Sequence, residues 1–128
     1  MTRKEWLEAY ARAWEEGDAE AAASLFTEDA VYRSHPFREA HVGTEGIRAC
    51  WTQATSTQED VSVRYGNPVA AGETLAVEWW ATFLNDGEEV TLPGVLLLRF
   101  APDGRCEELR EYWHAEVGLR EPFPGWGR

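Results

Sequence analysis

The hydrophobic period of this chain changes once, near residue 60, and that change limits the folds open to it. Before it, apolar residues recur at helical spacing. Trp6, Tyr10 and Trp14 fall every four residues with Leu7, Ala9 and Ala13 beside them, and Ile47, Cys50, Trp51 and Ala54 fall at i, i+3, i+4 and i+7. After it, Val61, Val63 and Tyr65 alternate with polar partners, and long strands are predicted over Glu73 to Leu84, Glu88 to Ala101 and Arg105 to about Glu116. The turns between them, Asn85-Asp86-Gly87 and Pro102-Asp103-Gly104, are of hairpin type, so the late strands should pair antiparallel. Helices first and hairpin-linked strands after is the order of an α+β domain.

Local signals place the boundaries. Thr2 and Glu5 form a capping-box pattern for a first helix that ends at Gly17, and Asp18 can cap a second, Ala-rich helix through Leu25 and Phe26. Thr27-Glu28-Asp29 breaks that helix, Ala30 to Arg33 reads as a short strand, and Ser34 to Val42 reads as a loop. Thr44 is the expected cap of the third helix, and Asn67-Pro68 ends the first strand of the sheet. Pro93-Gly94 lies inside the middle long strand. Proline removes a ladder donor and glycine often marks a bulge, so a sharp bend is expected there. Three N-terminal helices on a strongly curved, mostly antiparallel sheet would enclose a cone with an internal pocket, all within a single domain spanning residues 1–128.

Charge narrows the partners. Twelve Lys and Arg against 23 Asp and Glu leave a net charge of -11, which repels phosphate backbones and anionic lipid, so neither nucleic acid nor membrane is expected as a partner. No run is long and apolar enough to span a bilayer, and Met1-Thr2-Arg3-Lys4-Glu5-Trp6 meets charge where a signal peptide needs an apolar segment, so a cytoplasmic location is expected. Cys50 and Cys106 lie far apart with no CxxC spacing and read as reduced core residues. His35, His41 and His114 show no ligand spacing, so neither metal nor cofactor is expected, and no nucleophile elbow or phosphate-binding glycine loop is present.

The chemistry-bearing residues sit on the strands. On the last one, Leu109, Glu111 and Trp113 share a face, which sets a carboxylate among apolar neighbours. Glu111 is therefore a candidate pocket acid or base, the alternative being a carboxylate paired with Arg110, Arg99 or another strand's cation. Glu78 shares a face with Ala76, Trp80 and Thr82 and is either a second carboxylate of an acid/base pair or a hydrogen bonder on a dimer face. The seven tryptophans, at 6, 14, 51, 79, 80, 113 and 126, exceed what an ordinary small core needs and suit a ligand cavity or an interface. Tyr10 and Trp14, on the face of helix one that covers the cone, join Trp51, Trp80 and Trp113 as the expected ligand-binding set, and plain core packing is the competing role.

Four stretches carry a family resemblance over nearly the whole chain: Trp14-Glu15-Glu16-Gly17-Asp18, Leu25-Phe26-Thr27-Glu28-Asp29-Ala30-Val31-Tyr32, Gly43-Thr44-Glu45-Gly46-Ile47, and Gly104-Arg105-Cys106-Glu107-Glu108-Leu109-Arg110-Glu111-Tyr112-Trp113. With the element order, they resemble the nuclear transport factor 2-like superfamily and its SnoaL-like, polyketide cyclase-like branch. The superfamily holds isomerases, cyclases, epoxide hydrolases, dehydratases and proteins without catalysis, so the resemblance implies fold more than reaction. Arg110-Glu111-Tyr112-Trp113 stands where limonene-epoxide hydrolases carry Arg-Asp-Tyr-Phe, but Val77-Glu78-Trp79-Trp80-Ala81 lacks the Arg and Asp those enzymes need. SnoaL-like cyclases use a pocket Asp or His near this strand, which Glu111 or His114 could imitate.

The resemblance also puts Tyr32 and His35 near the cone mouth, where a histidine can shuttle protons, and it makes the outer sheet face a dimer surface. The resulting expectation is a homodimer that binds a small, largely apolar molecule. Its candidate catalytic residues are Glu111, Glu78, His35 and Tyr32, for isomerisation, cyclisation, dehydration or hydration without a cofactor. The rival is a non-catalytic ligand-binding or assembly module of the same fold.

Overall fold

The computed structural model describes all 128 residues. Helix α1 (Arg3–Glu16) starts at the expected capping box, in which the Thr2 hydroxyl accepts from the Glu5 amide and the Glu5 carboxylate accepts from the Thr2 amide. It ends at Gly17, whose φ of 65° is the left-handed conformation of a helix C-cap. Asp18 caps α2 (Ala19–Ser24), which is shorter than expected, because Phe26 already belongs to β1 (Phe26–Arg33). The predicted loop contains a short strand, β2 (His41–Val42), and α3 (Gly43–Thr55) follows at once. Val42 holds the cap position without a side-chain bond, so Thr44 lies inside the helix and does not cap it.

The sheet comprises β3 (Gln58–Tyr65), β4 (Val69–Ala71), β5 (Thr74–Asn85), β6 (Glu88–Phe100), β7 (Cys106–Trp113) and β8 (Glu116–Val117), together with β1 and β2. Its order is β2-β1-β7-β6-β5-β3. All pairings are antiparallel except β1 with β7, which run parallel. β5 and β6 outlast their neighbours, and short strands cover the excess. β4 pairs β5 at residues 74–76 beyond the end of β3, and β8 pairs β6 at residues 90–91 beyond the end of β7. Asp86 and Gly87 both take positive φ, so the β5–β6 hairpin closes in two residues with Asn85 opposite Glu88. The result is the expected α+β cone of three helices on an open, curled sheet, and no helix is long and apolar enough to cross a membrane.

At Pro93-Gly94, where the sequence predicts a sharp bend, there is no bulge toward β5. The β5–β6 register runs unbroken through Trp80↔Pro93 and Trp79↔Gly94. The break falls instead on the other side of β6, where β7 leaves after Gly94↔Trp113 and β8 takes over. Proline is tolerated because its missing donor lies where the pairing strand changes, and the Pro93 carbonyl still accepts from the His114 amide.

Alternation sorts the sheet into two faces. Leu75, Val77, Trp79, Ala81 and Phe83 of β5, Leu96, Leu98 and Phe100 of β6, and Leu109 of β7 are buried under the helices. Trp6 anchors the closed end. It is fully buried, stacks on Tyr10, meets Phe26 and Phe100 edge-on, and donates its indole N–H to the Leu25 carbonyl. Aromatic packing continues from Trp14 to Trp51 and Trp79, leaving a gap under the open end of the cone.

A candidate active site in the cone

That gap is a cavity of about 270 Å³, at the lower edge of the ~300–1,000 Å³ usual for small-molecule sites. Each wall has a distinct source. Helix α1 presents Tyr10 and Trp14, α3 presents Cys50, Trp51 and Thr55, β1 presents Tyr32, and the inner sheet face presents Trp79, Leu92, Glu111 and Trp113. The strand alternation that buries Leu109 also turns Glu111 inward, with Leu96 opposite it on β6.

Glu111 is the one acidic side chain of the lining, and neither Arg, Lys nor His joins it there. Arg110 points to the opposite, exposed face, and Arg99 is engaged by Glu107 and lies 3.9 Å from Glu108, so the ion-pair role for Glu111 is excluded. Removal from water, with no compensating charge or hydrogen bond, pushes its pKa up to about 8. At neutral pH it is mostly a neutral acid, poised to give up or take back a proton.

Its neighbours are also acids. The Tyr10 and Tyr32 hydroxyls are hydrogen-bonded at 3.1 Å, and both are held well above the ordinary tyrosine range. Burial is the main cause for each. Next come Tyr32 and then Glu111 for Tyr10, and Glu111 for Tyr32. Burial, then Glu111, raises the Cys50 thiol to about 11 and also raises Tyr65. The hydroxyls therefore stay protonated, one donating to the other, while Glu111 changes charge near neutrality. Polar ties fix the walls, with Trp14 donating to Gln58 Oε1 at 2.7 Å and Trp113 to the Ser34 carbonyl at 2.9 Å.

The structure brings Glu111, Tyr32, Tyr10, Trp14, Trp51 and Trp113 together and leaves out three expected site residues. Glu78 and Trp80 lie on the outer face of β5 because the wholly apolar set, Leu75 to Phe83 in alternation, takes the inner one. Glu78 accepts the Gly127 amide at 3.2 Å, and Trp80 meets Trp126 edge-on, so both hold the C-terminal segment. His35 lies in an outer cleft with them, separated from the cavity by Trp113, whose ring borders both spaces. Its Nδ1 accepts from the Phe37 amide at 3.2 Å. Trp79, Cys50 and Gln58 are lining residues that the sequence reading missed. Trp79 was recoverable, since a strand face without polar residues is the face that turns to the core. No three His, Cys, Asp or Glu side chains converge as a metal cluster would require.

A model of the SnoaL-like domain family matches residues 7–109. Among curated proteins, none matches. Among solved structures, the chain is similar to SalBIII, an epoxide hydrolase/cyclase-like enzyme of pyran ring formation in the polyether salinomycin. The two share 24% identity at a TM-score of 0.79, over 91% of this chain and 95% of that one. It is similar to a protein of ketosteroid isomerase-like fold from Catenulispora acidiphila, solved with trimethylamine, at 24% identity and a TM-score of 0.77 over 87% and 86% of the two chains. A proposed SnoaL-like polyketide cyclase from Shewanella denitrificans shares 16% identity at a TM-score of 0.74 over 87% and 89%. At these identities the likeness is one of fold.

Proposed function

The chain belongs to the SnoaL-like domain family, and we propose that its cone binds a small, largely apolar molecule and moves a proton on it by acid/base catalysis without a cofactor. The observation that carries this reading is the uncompensated carboxyl of Glu111 inside an aromatic cavity. With its pKa near 8, Glu111 can take a proton from carbon beside a carbonyl and return it elsewhere, a step shared by isomerisation, ring closure and dehydration. The Tyr32 hydroxyl, bonded to Tyr10, is the available donor to the carbonyl oxygen where negative charge develops.

Solvent exchange tests the proton step directly. Small enolisable ketones, from cyclohexanone to tetralone, are incubated with the protein in D2O and their α-protons followed by NMR. Exchange faster than buffer is expected for the ketones that fit, and Glu111→Gln should slow it by about 100-fold. Exchange no faster than buffer across the series, or a variant within a few-fold of the native protein, would overturn the assignment.

One observation favours the rival, non-catalytic reading: no second carboxylate or histidine lines the cavity, since Glu78 and His35 lie outside it. That reading predicts binding without exchange. As to assembly, we propose a homodimer through the outer face of β6 and β7, where Val95 and Tyr112 are exposed side by side in register. Sedimentation should give a species of about twice 14.5 kDa, and a stable 14.5 kDa species would rule the dimer out.

A further inference from the structure

We propose that the molecule held in the cone carries a basic nitrogen and binds as a hydrophobic ammonium ion, with Glu111 as its counter-ion and the aromatic walls as its cage. The inference rests on the reading of the cone as a small-molecule site and names the class of ligand.

Three observations lead there. The cavity is built from six aromatic side chains, Tyr10, Trp14, Tyr32, Trp51, Trp79 and Trp113, drawn from two helices and three strands. Aromatic faces attract cations, most strongly where water is excluded, and cages of such rings are how quaternary ammonium groups are recognised. Second, the lining contains one carboxyl and no cation, and no hydrogen bond or ion pair within the chain reaches that carboxyl. A carboxylate held away from water without a counter-charge is unfavourable, so Glu111 ionises readily only when a cation from outside the chain joins it. Third, every titratable group that faces Glu111 is itself an acid: Tyr10 from α1, Tyr32 from β1, Cys50 from α3 and Tyr65 from β3. None can carry positive charge. The net charge of -11 further raises the local concentration of cations around the cone.

Binding a permanent cation to the neutral acid releases one proton from Glu111 to buffer, so affinity must rise with pH. Ionisation of Glu111 at about 8 makes only on the order of 1% of the free protein competent at pH 6 and most of it at pH 9. Benzyltrimethylammonium, whose own charge does not titrate, should therefore bind tens of times more tightly at pH 9 than at pH 6. Its neutral carbon isostere, neopentylbenzene, offers the carboxylate no counter-charge and should bind no more tightly at pH 9 than at pH 6. Tryptophan fluorescence, to which four rings of the cavity wall contribute, reads both titrations.

Glu111→Gln should weaken benzyltrimethylammonium at least tenfold at pH 9 and remove its pH dependence while retaining neopentylbenzene binding at pH 6, where native Glu111 is neutral as well, which also certifies the variant's fold. The histidines all lie outside the cavity and are common to both proteins, so the difference between the two isolates Glu111. If neopentylbenzene binds and the ammonium does not, the ammonium assignment falls and the apolar cavity stands. If neither binds, both fall. Ammonium binding that is insensitive to pH and to Glu111→Gln would put the cation on the acidic surface and also overturn the proposal.

Discussion

Glu111→Gln is expected to make the protein more stable at pH 8.5 and to leave its stability nearly unchanged at pH 4.5. The folded chain raises the Glu111 carboxyl from 4.5 to about 8, so between those values the folded state holds a proton that the unfolded state has lost. Stability from this group is complete below about 4.5, declines as pH rises, and is gone above about 8. Burying the carboxylate at alkaline pH costs on the order of 4 kcal/mol, and the amide, which never ionises, avoids that cost.

Urea unfolding at the two pH values, followed by tryptophan fluorescence, measures the gap between native and variant proteins. The 22 other acidic residues repel one another in both proteins alike, so the general loss of stability at high pH cancels in the comparison. Parallel stability profiles would mean that the carboxyl is as well solvated folded as unfolded, and the acid/base and ammonium readings would then lose their common basis. The experiment needs no substrate. A site that destabilises its own protein when empty and charged is one in which stability has been exchanged for chemistry or binding.

Much of this architecture was legible in the chain, and the points where it was not have physical causes. The period change, the Thr2–Glu5 capping box and the Asp86-Gly87 turn are local signals, decided by atoms within a few residues, and each appears where the sequence places it. Glu111 could be placed beside Leu109 and Trp113 because alternation along a strand admits two faces only. Which face is inner is a tertiary question. On β7 the buried Leu109 answers it, whereas on β5 the pairing of Glu78 with Trp80 suggested a pocket face, although Leu75, Val77, Trp79, Ala81 and Phe83 together bury far more apolar area the other way round. His35 stands beside Trp113 in space but on its far side, and nothing in the spacing of Tyr32 and His35 distinguishes the two sides of that ring. The C-terminal segment was read only as packing against something. Its destination, with the Gly127 carbonyl accepting from Asn67 and the Trp126 ring against Trp80, depends on contacts some 45 to 60 residues apart in the chain.

Gly94→Ala is expected to destabilise the protein by about 3 kcal/mol, the upper end of what overpacking by one methyl group costs. Backbone conformation is not the reason, since Gly94 is not among the residues of positive φ. Space is. A Cβ at Gly94 would lie 2.5 Å from Trp79 Cζ2 and 2.8 Å from the Tyr112 carbonyl oxygen. The carbonyl belongs to the neighbouring strand, and the Trp79 ring, 2% exposed, is backed by Trp14 at 5.4 Å, so neither can retreat cheaply. Gly94, which with Pro93 predicts a bend from sequence, is thus the floor on which the Trp79 ring lies in an unbroken ladder. Two consequences distinguish this account from general strand weakening. Trp79→Phe in the Gly94→Ala background should recover at least about 1 kcal/mol relative to the sum of the single changes, because the smaller ring vacates the clash. The displaced Trp79 ring should also intrude on the cavity it lines, so Gly94→Ala should weaken neopentylbenzene binding under conditions where the variant remains folded. Strict additivity of the two substitutions, read from denaturation midpoints, would show that Gly94 serves the strand and not the wall of the cavity.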